Sequence, residues 1–449
     1  MAQGVRPTRR GFLGGATTGA AALTGGFVPT FAWSTAAFAN VSANDRPRIA
    51  AIGTGGMGTG DARDHAQFGD IVAVCDVDNT HAERARNDDG IGKGKADVYR
   101  DYRRVLDRSD VDVVSIVTPD HWHVKIAIEA LQAGKHVFCQ KPLSLTLEEN
   151  RLARAAAEHH PTLQFFIGTQ QRSQKDQFLR AVNMVHKGLL GDIQKVTVGI
   201  NGGEVGGPFA VAEVPKQLDW EMWQGQAARV PYREKRCHGD FRWWYEYSGG
   251  KFTDWGAHHI DIAQWALRED AKGKGPVEID GTRVKHPVPY ENGYATVDDC
   301  YNTSHEFAVP CTFSNGVEMV VDSTSDNGIL FEGTKGRIYV NRDKITGKPV
   351  EEEWDKDQFT DADVMKLYKG KPFEGHKQNF YRCIREGGLP VSDVFSHVVA
   401  MNTCHLVAIA GRLGRKIKWD PATERIVGDE QAQAFTARTP RAGFEIPRV

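Results

Sequence analysis

A chain of 449 residues with 40% hydrophobic and 25% charged residues has the composition of an ordinary globular protein and the length of two or three domains. Its 56 Lys and Arg against 58 Asp and Glu leave a net charge of -2. That balance gives no basic field for a nucleic-acid backbone and no acidic tail, so a small-molecule partner is expected and nucleic acid is not. No run approaches the ~20 uncharged apolar residues of a membrane-spanning helix.

The charge is unevenly placed. Residues 1–39 carry Arg6, Arg9 and Arg10 and no acidic residue, then a Gly/Ala/Thr-rich run that ends in Ala37-Phe38-Ala39. This is the order of an export signal: basic n-region, weakly apolar h-region, small-x-small cleavage site. Thr8-Arg9-Arg10-Gly11-Phe12-Leu13 resembles the signal of the twin-arginine route, which moves folded proteins. A plain leader or an amphipathic surface helix is the bland alternative. On the export reading the twin-arginine machinery is a partner and the periplasm is the destination. The mature chain from Asn40 keeps 53 basic against 58 acidic residues, a net -5.

An oxidising compartment would permit the seven cysteines to pair, but their positions argue against a disulfide framework. Cys75 and Cys139 fall in apolar runs that read as strands, and Cys383 and Cys404 in helix-like segments. Cys237, Cys300 and Cys311 remain free to pair or to bind metal, though no C-x-x-C spacing favours either.

Arg48 to Ile52 reads as a strand running into Gly53-Thr54-Gly55-Gly56-Met57-Gly58, with a helix from Asp61 onward. In that context the first Gly allows the tight turn, the second admits a pyrophosphate, and the third lets helix pack on strand. A second strand, Ile71 to Cys75, ends at Asp76, about 20 residues on, where an acid holds an adenosine ribose and disfavours a 2'-phosphate. NAD is therefore expected over NADP, with Asp78 as a solvated loop acid. Strands at Val113–Val117, His136–Cys139 and Leu163–Ile167 alternate with helices at Val124–Ala133 and Leu147–His159, the pattern of a doubly wound parallel sheet. Residues 46–168 form this Rossmann domain, and residues 169–449 a second α/β domain. There, strands separated by turns from Val277 to Val340 suggest a largely antiparallel open sheet, and Lys377 to Gly411 reads as helical.

Two further stretches lie at strand ends. Thr118-Pro119-Asp120-His121-Trp122-His123 follows one strand; Thr118, Pro119 and His123 are candidate cofactor contacts, and a polar residue opening the next helix explains His123 equally well. Lys141 follows the next strand and precedes Pro142, which restricts its backbone; its ammonium is suited to polarising a substrate oxygen. Farther on, a helix beginning near Asp254 would set Asp254, His258 and Asp261 on one face. A carboxylate one turn from an imidazole can orient it as a general base, although an N-cap role explains Asp254 as well. The aromatic stretch 218–247 offers either sugar-stacking faces or a local core.

Taken together these residues resemble the glucose-fructose oxidoreductase/inositol dehydrogenase/rhizopine-catabolism (Gfo/Idh/MocA) family. The matches run in order through Ile52-Gly53-x-Gly55-x-x-Gly58, Val74-Cys75-Asp76, Thr118-Pro119-x-x-x-His123, Ala133 to Val137, Lys141-Pro142, Gly168-x-x-x-Arg172 and Asp254-x-Gly256-x-His258-x-x-Asp261. The leader, Leu218-Asp219-Trp220-x-x-Trp223 and Phe241-Arg242-Trp243 are similar to an exported branch of it. The resemblance implies hydride exchange between NAD and a hydroxyl-bearing carbon of a sugar or cyclitol, and a homo-oligomer built on the open sheet. It maps the catalytic set onto Lys141, Asp254 and His258, and a substrate contact onto Arg172. One departure stands out: Gln140 replaces the usual Glu before Lys141.

Export implies a cofactor carried along with the enzyme, which favours redox-neutral cycles such as sugar-to-sugar exchange, glycoside cleavage or epimerisation. A catalytically silent sugar- or dinucleotide-binding protein is the alternative from another class. A metal hydrolase using Cys237, His238, His258 and His259 lacks compact ligand spacing, so no metal is expected.

Overall fold

The computed structural model describes residues 46–448; the leader at 1–39 lies outside them. The chain enters β1 (Arg48–Ile52), turns through the glycine loop into α1 (Gly56–His65), and returns as β2 (Asp70–Cys75). The helix α2 (Asn79–Asn87) is capped by Asp78, whose side chain accepts from Thr80 N. The unit continues through β3 (Asp97–Tyr99), β4 (Val113–Ile116), α3 (Asp120–Gln132), β5 (His136–Cys139), α4 (Leu147–His159) and β6 (Phe165–Ile167).

All six strands are parallel, in the order β3-β2-β1-β4-β5-β6. Helices cover both faces, so the central strands are buried and almost wholly apolar; β4 has no exposed residue, its Ser115 included. Strand order reverses between β1 and β4, and the loops leaving them diverge to open a crevice at the carboxyl edge.

The second domain begins with a π-turn, Lys175–Leu179, that passes into α5 (Arg180–His186). Its sheet is built from β7 (Ile193–Gly199), β8 (Pro276–Asp280), β9 (Glu306–Phe313), β10 (Glu318–Asp322), β11 (Gly328–Gly333), β12 (Arg337–Val340), β13 (Ile345–Thr346), β14 (Lys416–Asp420) and β15 (Arg425–Val427). Their order is β13-β12-β11-β7-β10-β9-β8-β14-β15, with the short strand Val284–Lys285 also on β9; within this second sheet only β7 and β10 pair in parallel among the described residues. The strands alternate buried and half-exposed residues, so one face of the sheet is open.

Three helical segments bear on the site: α6 (Lys251–Asp254), α7 (Gly256–Leu267) and α8 (His376–Glu386). The single helix expected to start near Asp254 is broken at Trp255. Against the expectation that no run is long and apolar enough to cross a membrane, the 20-residue α9 (Val394–Leu413), of mean hydropathy 1.4, is so by length and composition; it is almost wholly buried, packed on α4 of the first domain and on α7 of the second, as a core helix. One apolar core therefore runs through both domains. The aromatic stretch forms a core of its own around Trp220, Trp223, Trp244, Tyr247 and Tyr301. All seven cysteines are free thiols, six of them buried.

Candidate active site

A cavity of about 380 Å³ opens at the switch point between β1 and β4. Its floor is the glycine loop. Gly53 takes φ +82°, and a Cβ there would lie 2.5 Å from Val117 O; a Cβ on Gly58 would lie 1.9 Å from Gly53 O. Any side chain at either position would push the loop off the sheet. The N-terminus of α1 has no side-chain cap, leaving its first N–H groups for a ligand. Gly55, Gly56 and Met57 complete this lip.

Asp76 stands at the far end of the same floor. Its Oδ2 accepts from Thr54 N at 2.8 Å and its Oδ1 from Asp78 N at 2.9 Å, so the carboxylate ties the glycine loop to the β2–α2 turn. A cradle that only glycine can line, an uncapped helix start and a fixed carboxylate fit the pyrophosphate and ribose of a dinucleotide. Asp78 departs from the solvated role expected of it: it is 4% exposed, because it caps α2 and the second domain covers it.

That cover is the aromatic segment. Asn79 N donates to Gln217 O at 3.0 Å, Asp219 N to Val77 O at 2.9 Å, and Leu218 bridges to Asp78. Leu218, Met222, Trp223, His238, Phe241 and Arg242 thereby roof the cavity. His81 lies 3.6 Å from Asp76 and His238 lies 3.8 Å from Asp78, ion pairs whenever the imidazoles are protonated. Asp76, through its hydrogen bond, is the main cause that lifts the His81 imidazole above its ordinary range.

The reactive end lies where β4, β5 and α6 converge. Lys141 Nζ donates to Asp254 Oδ1 at 2.7 Å and to Asp254 O at 3.0 Å, and Arg242 Nε stands 3.6 Å from the same Oδ1. Burial raises the Asp254 carboxyl, but Lys141 and Arg242 outweigh it and hold the group below the usual carboxylate range. His258 is buried; burial first, then the nearby Lys141 and Arg342, push its imidazole well below its ordinary value, so it is neutral at pH 7. Its Nδ1 has no hydrogen-bond partner.

The glycines of the loop, Met57, Asp76, Thr118, Pro119 and Lys141 all lie in the cavity wall; His123, Arg172, Asp254 and His258 do not. His123 is turned away, its Nδ1 2.7 Å from Pro142 O and its Nε2 2.8 Å from Thr118 O, so it braces the two strand-end loops against each other. Arg172 is 1% exposed, bidentate to Asp261 at 2.6 and 2.9 Å and 4.6 Å from the Trp265 ring centre. A guanidinium so enclosed is a pillar between elements rather than a group presented to substrate. Asp261 is thus spent on Arg172 and His397, and Asp254 on Lys141; the expected shared helix face is lost with the break at Trp255.

Gln140 has a local reason. Its Nε2 donates to Asp61 Oδ2 at 2.6 Å, while Asp61 Oδ1 accepts from Lys377 Nζ at 2.6 Å. A Glu at 140 would face that carboxylate with another. Trp223, Phe241 and Arg242, which the sequence offers only as part of a stacking or core stretch, and His238, which it offers only as a metal ligand, reach the cavity from over 70 residues beyond Lys141; Asp120, to which the sequence assigns no role, lines it too.

A Rossmann crevice closed by an α/β domain, with a lysine–carboxylate pair at its inner end, defines a two-domain dinucleotide-dependent oxidoreductase scaffold. The oxidoreductase-family model for an NAD-binding Rossmann fold matches residues 47–167, and the C-terminal α/β domain model of the same family matches residues 179–446. The chain belongs to the Gfo/Idh/MocA family. In fold it is similar to the WlbA dehydrogenase from Bordetella pertussis, solved with NADH and UDP-GlcNAcA (TM-score 0.58, 17% identity, 83% of this chain and 98% of that one). It is also similar to the aldose-aldose oxidoreductase from Caulobacter crescentus complexed with glycerol (TM-score 0.57, 17% identity, 83% and 99%). Curated relatives include glycosyl hydrolase family 109 protein 2 of Shewanella sp. (strain ANA-3), 32% identical over 169 residues, 33% of this chain and 34% of that protein. The alpha-N-acetylgalactosaminidase of Shewanella oneidensis is 31% identical over 166 residues, 32% and 33% of the two chains. The match thus spans about a third of the length of these relatives.

Proposed function

We propose that this protein is an NAD-dependent enzyme acting at a hydroxyl-bearing carbon of a carbohydrate, with the nicotinamide retained between turnovers. The observation that carries this reading is the continuity of one cavity from the Asp76 cradle to Lys141. Bound there, the cofactor would supply reversible hydride exchange with the substrate carbon. Lys141, fixed by Asp254, presents its ammonium to the reacting oxygen; neutral His258, in the field of Lys141, is the proposed proton acceptor. Retention is supported by the roof, which an outgoing dinucleotide would have to lift from the β2–α2 turn. Acid extraction of the purified protein should release stoichiometric NAD; an empty extract from active protein counts against retention.

A second reading is favoured by the names of the Shewanella relatives: glycoside cleavage with transient oxidation of the sugar, leaving no net redox change. Because a redox-neutral cycle leaves cofactor absorbance almost unchanged, the test is product analysis of α-N-acetylgalactosaminides and other glycosides beside absorbance. Net NADH formation without cleavage would favour simple oxidation. We further propose export by the twin-arginine route, tested by Arg9→Lys with Arg10→Lys in a secretion assay, and self-association through the open sheet face, tested by light scattering.

A further inference from the structure

The cavity holds a carboxyl that neither reading uses. Asp120 opens α3 at the carboxyl end of β4, in the same wall as Lys141 and Arg242, and is 4% exposed. Its Oδ2 accepts from Ser248 Oγ at 2.6 Å, and Ser248 is itself fully buried. The charged and titratable groups that face it are Arg242 from the 238–243 turn, Lys141 from the loop after β5, Asp254 from α6, and the Cys139 thiol from β5. A carboxyl enclosed in this way, with one oxygen fixed by a hydroxyl donor, is positioned to exchange its proton with whatever occupies the cavity.

We propose that Asp120 is the proton donor of this cavity, delivering its proton to the exocyclic oxygen of a bound glycoside as the C–O bond breaks. This rests on the glycoside-cleaving reading above. The bonding pair of the C–O bond stays with the departing oxygen, which takes the Asp120 proton and leaves as a neutral alcohol. Water supplies the replacing C–O bond and returns its proton to the carboxylate, so the carboxyl ends as it began. The chain is built to tolerate both states. Burial, against the smaller pull of Ser248, Arg242 and Lys141, raises the acid to about 7, so it still holds its proton near neutrality. Once ionised, it is stabilised by the Ser248 hydroxyl, the two cations and the N-terminal end of α3.

The test uses the holoenzyme and two glycosides of the same sugar, 4-nitrophenyl and methyl. The first leaving group departs with little help; the second needs a proton. Asp120→Asn should lower kcat/KM for the methyl glycoside by about 10²–10⁴-fold and for the nitrophenyl glycoside by at least about tenfold less. Asp120→Glu should restore part of the difference. An infrared pH titration gives a readout independent of turnover: the protonated-carboxyl band of the wild type should titrate near 7 and vanish in Asp120→Asn. Equal losses on both glycosides, or a band unchanged by the substitution, would overturn the assignment of Asp120 alone. A wild type that releases no alcohol from any glycoside, yet oxidises sugars, would overturn the glycoside reading and the donor role with it.

Discussion

Lys141 reaches across from the Rossmann domain to Asp254 of the second domain, with Nζ 2.7 Å from Oδ1, in a pair that is mostly buried. Removing one partner strands the other. Lys141→Met should leave Asp254 with Arg242, at 3.6 Å, and the weaker field of Lys251, and raise the carboxyl from its depressed range. We expect retained NAD, measured by acid extraction, with turnover lowered by about 10²–10⁴-fold. His258→Ala should behave likewise if its imidazole accepts the proton; full turnover in both variants would remove the pair and the histidine from the chemistry.

Asp120 also makes stability depend on pH. Its folded carboxyl titrates near 7 and an unfolded Asp near 4, so between these values the folded state binds the extra proton. Stability from this group is therefore highest at low pH and falls as pH rises from about 4 to about 7, by on the order of 4 kcal/mol in total. Asp120→Asn should flatten the curve of Tm against pH over that window and raise Tm at pH 8. An unaltered curve would mean that the carboxyl is ionised throughout.

Gln140 and Asp61 predict a matched pair of substitutions. Gln140→Glu alone sets two carboxylates where an amide donates at 2.6 Å, and Lys377 can serve only one side of Asp61. We expect a loss of about 1–3 kcal/mol, with most of it recovered when Asp61→Asn is added. A denaturant-melt double-mutant cycle reads the coupling directly.

The parts legible in the sequence are those whose meaning is local. Gly53, Gly55 and Gly58 are interpretable because strand, loop and helix follow one another within 20 residues, and Lys141 because a strand end and Pro142 fix its place. What escaped depends on contacts between distant segments. Nothing near Arg172 reveals that Asp261, 89 residues later, will enclose it, and nothing near Trp223 or His238 reveals that their segment roofs the β2–α2 turn. The Asp254–His258 spacing misled for a physical reason: it assumes an unbroken helix, and the chain interrupts it at Trp255, freeing Asp254 to turn to Lys141.

Arg172 should prove structural. Its guanidinium forms a fully buried bidentate pair with Asp261, whose carboxyl burial would raise but Arg172 and His397 hold at about 2. Arg172→Ala leaves that buried charge with only the 3.5 Å contact to His397, at a cost of about 3–5 kcal/mol. Arg172→Lys should recover little, since an ammonium can neither make both bonds nor stack on Trp265. The matching readout is a large fall in Tm with KM unchanged in whatever enzyme survives; a raised KM at wild-type Tm would return Arg172 to the substrate site.

Asp76 should decide both cofactor choice and loop order. Its carboxylate stands where a 2'-phosphate would add a second negative charge, and it also accepts the Thr54 and Asp78 N–H groups. Asp76→Ala removes the repulsion but leaves two backbone donors without their acceptor, so the glycine loop and the β2–α2 turn lose their tie. Asp76→Ser lifts the repulsion while its hydroxyl can still accept from one of them. Serine should therefore shift the ratio of NADP to NAD affinity upward by tenfold or more, about 1.4 kcal/mol, with a modest fall in Tm, whereas alanine should weaken both cofactors and lower Tm further. Fluorescence titration of the two nucleotides into stripped protein separates these outcomes, and an unchanged ratio in both variants would mean that Asp76 does not read the ribose.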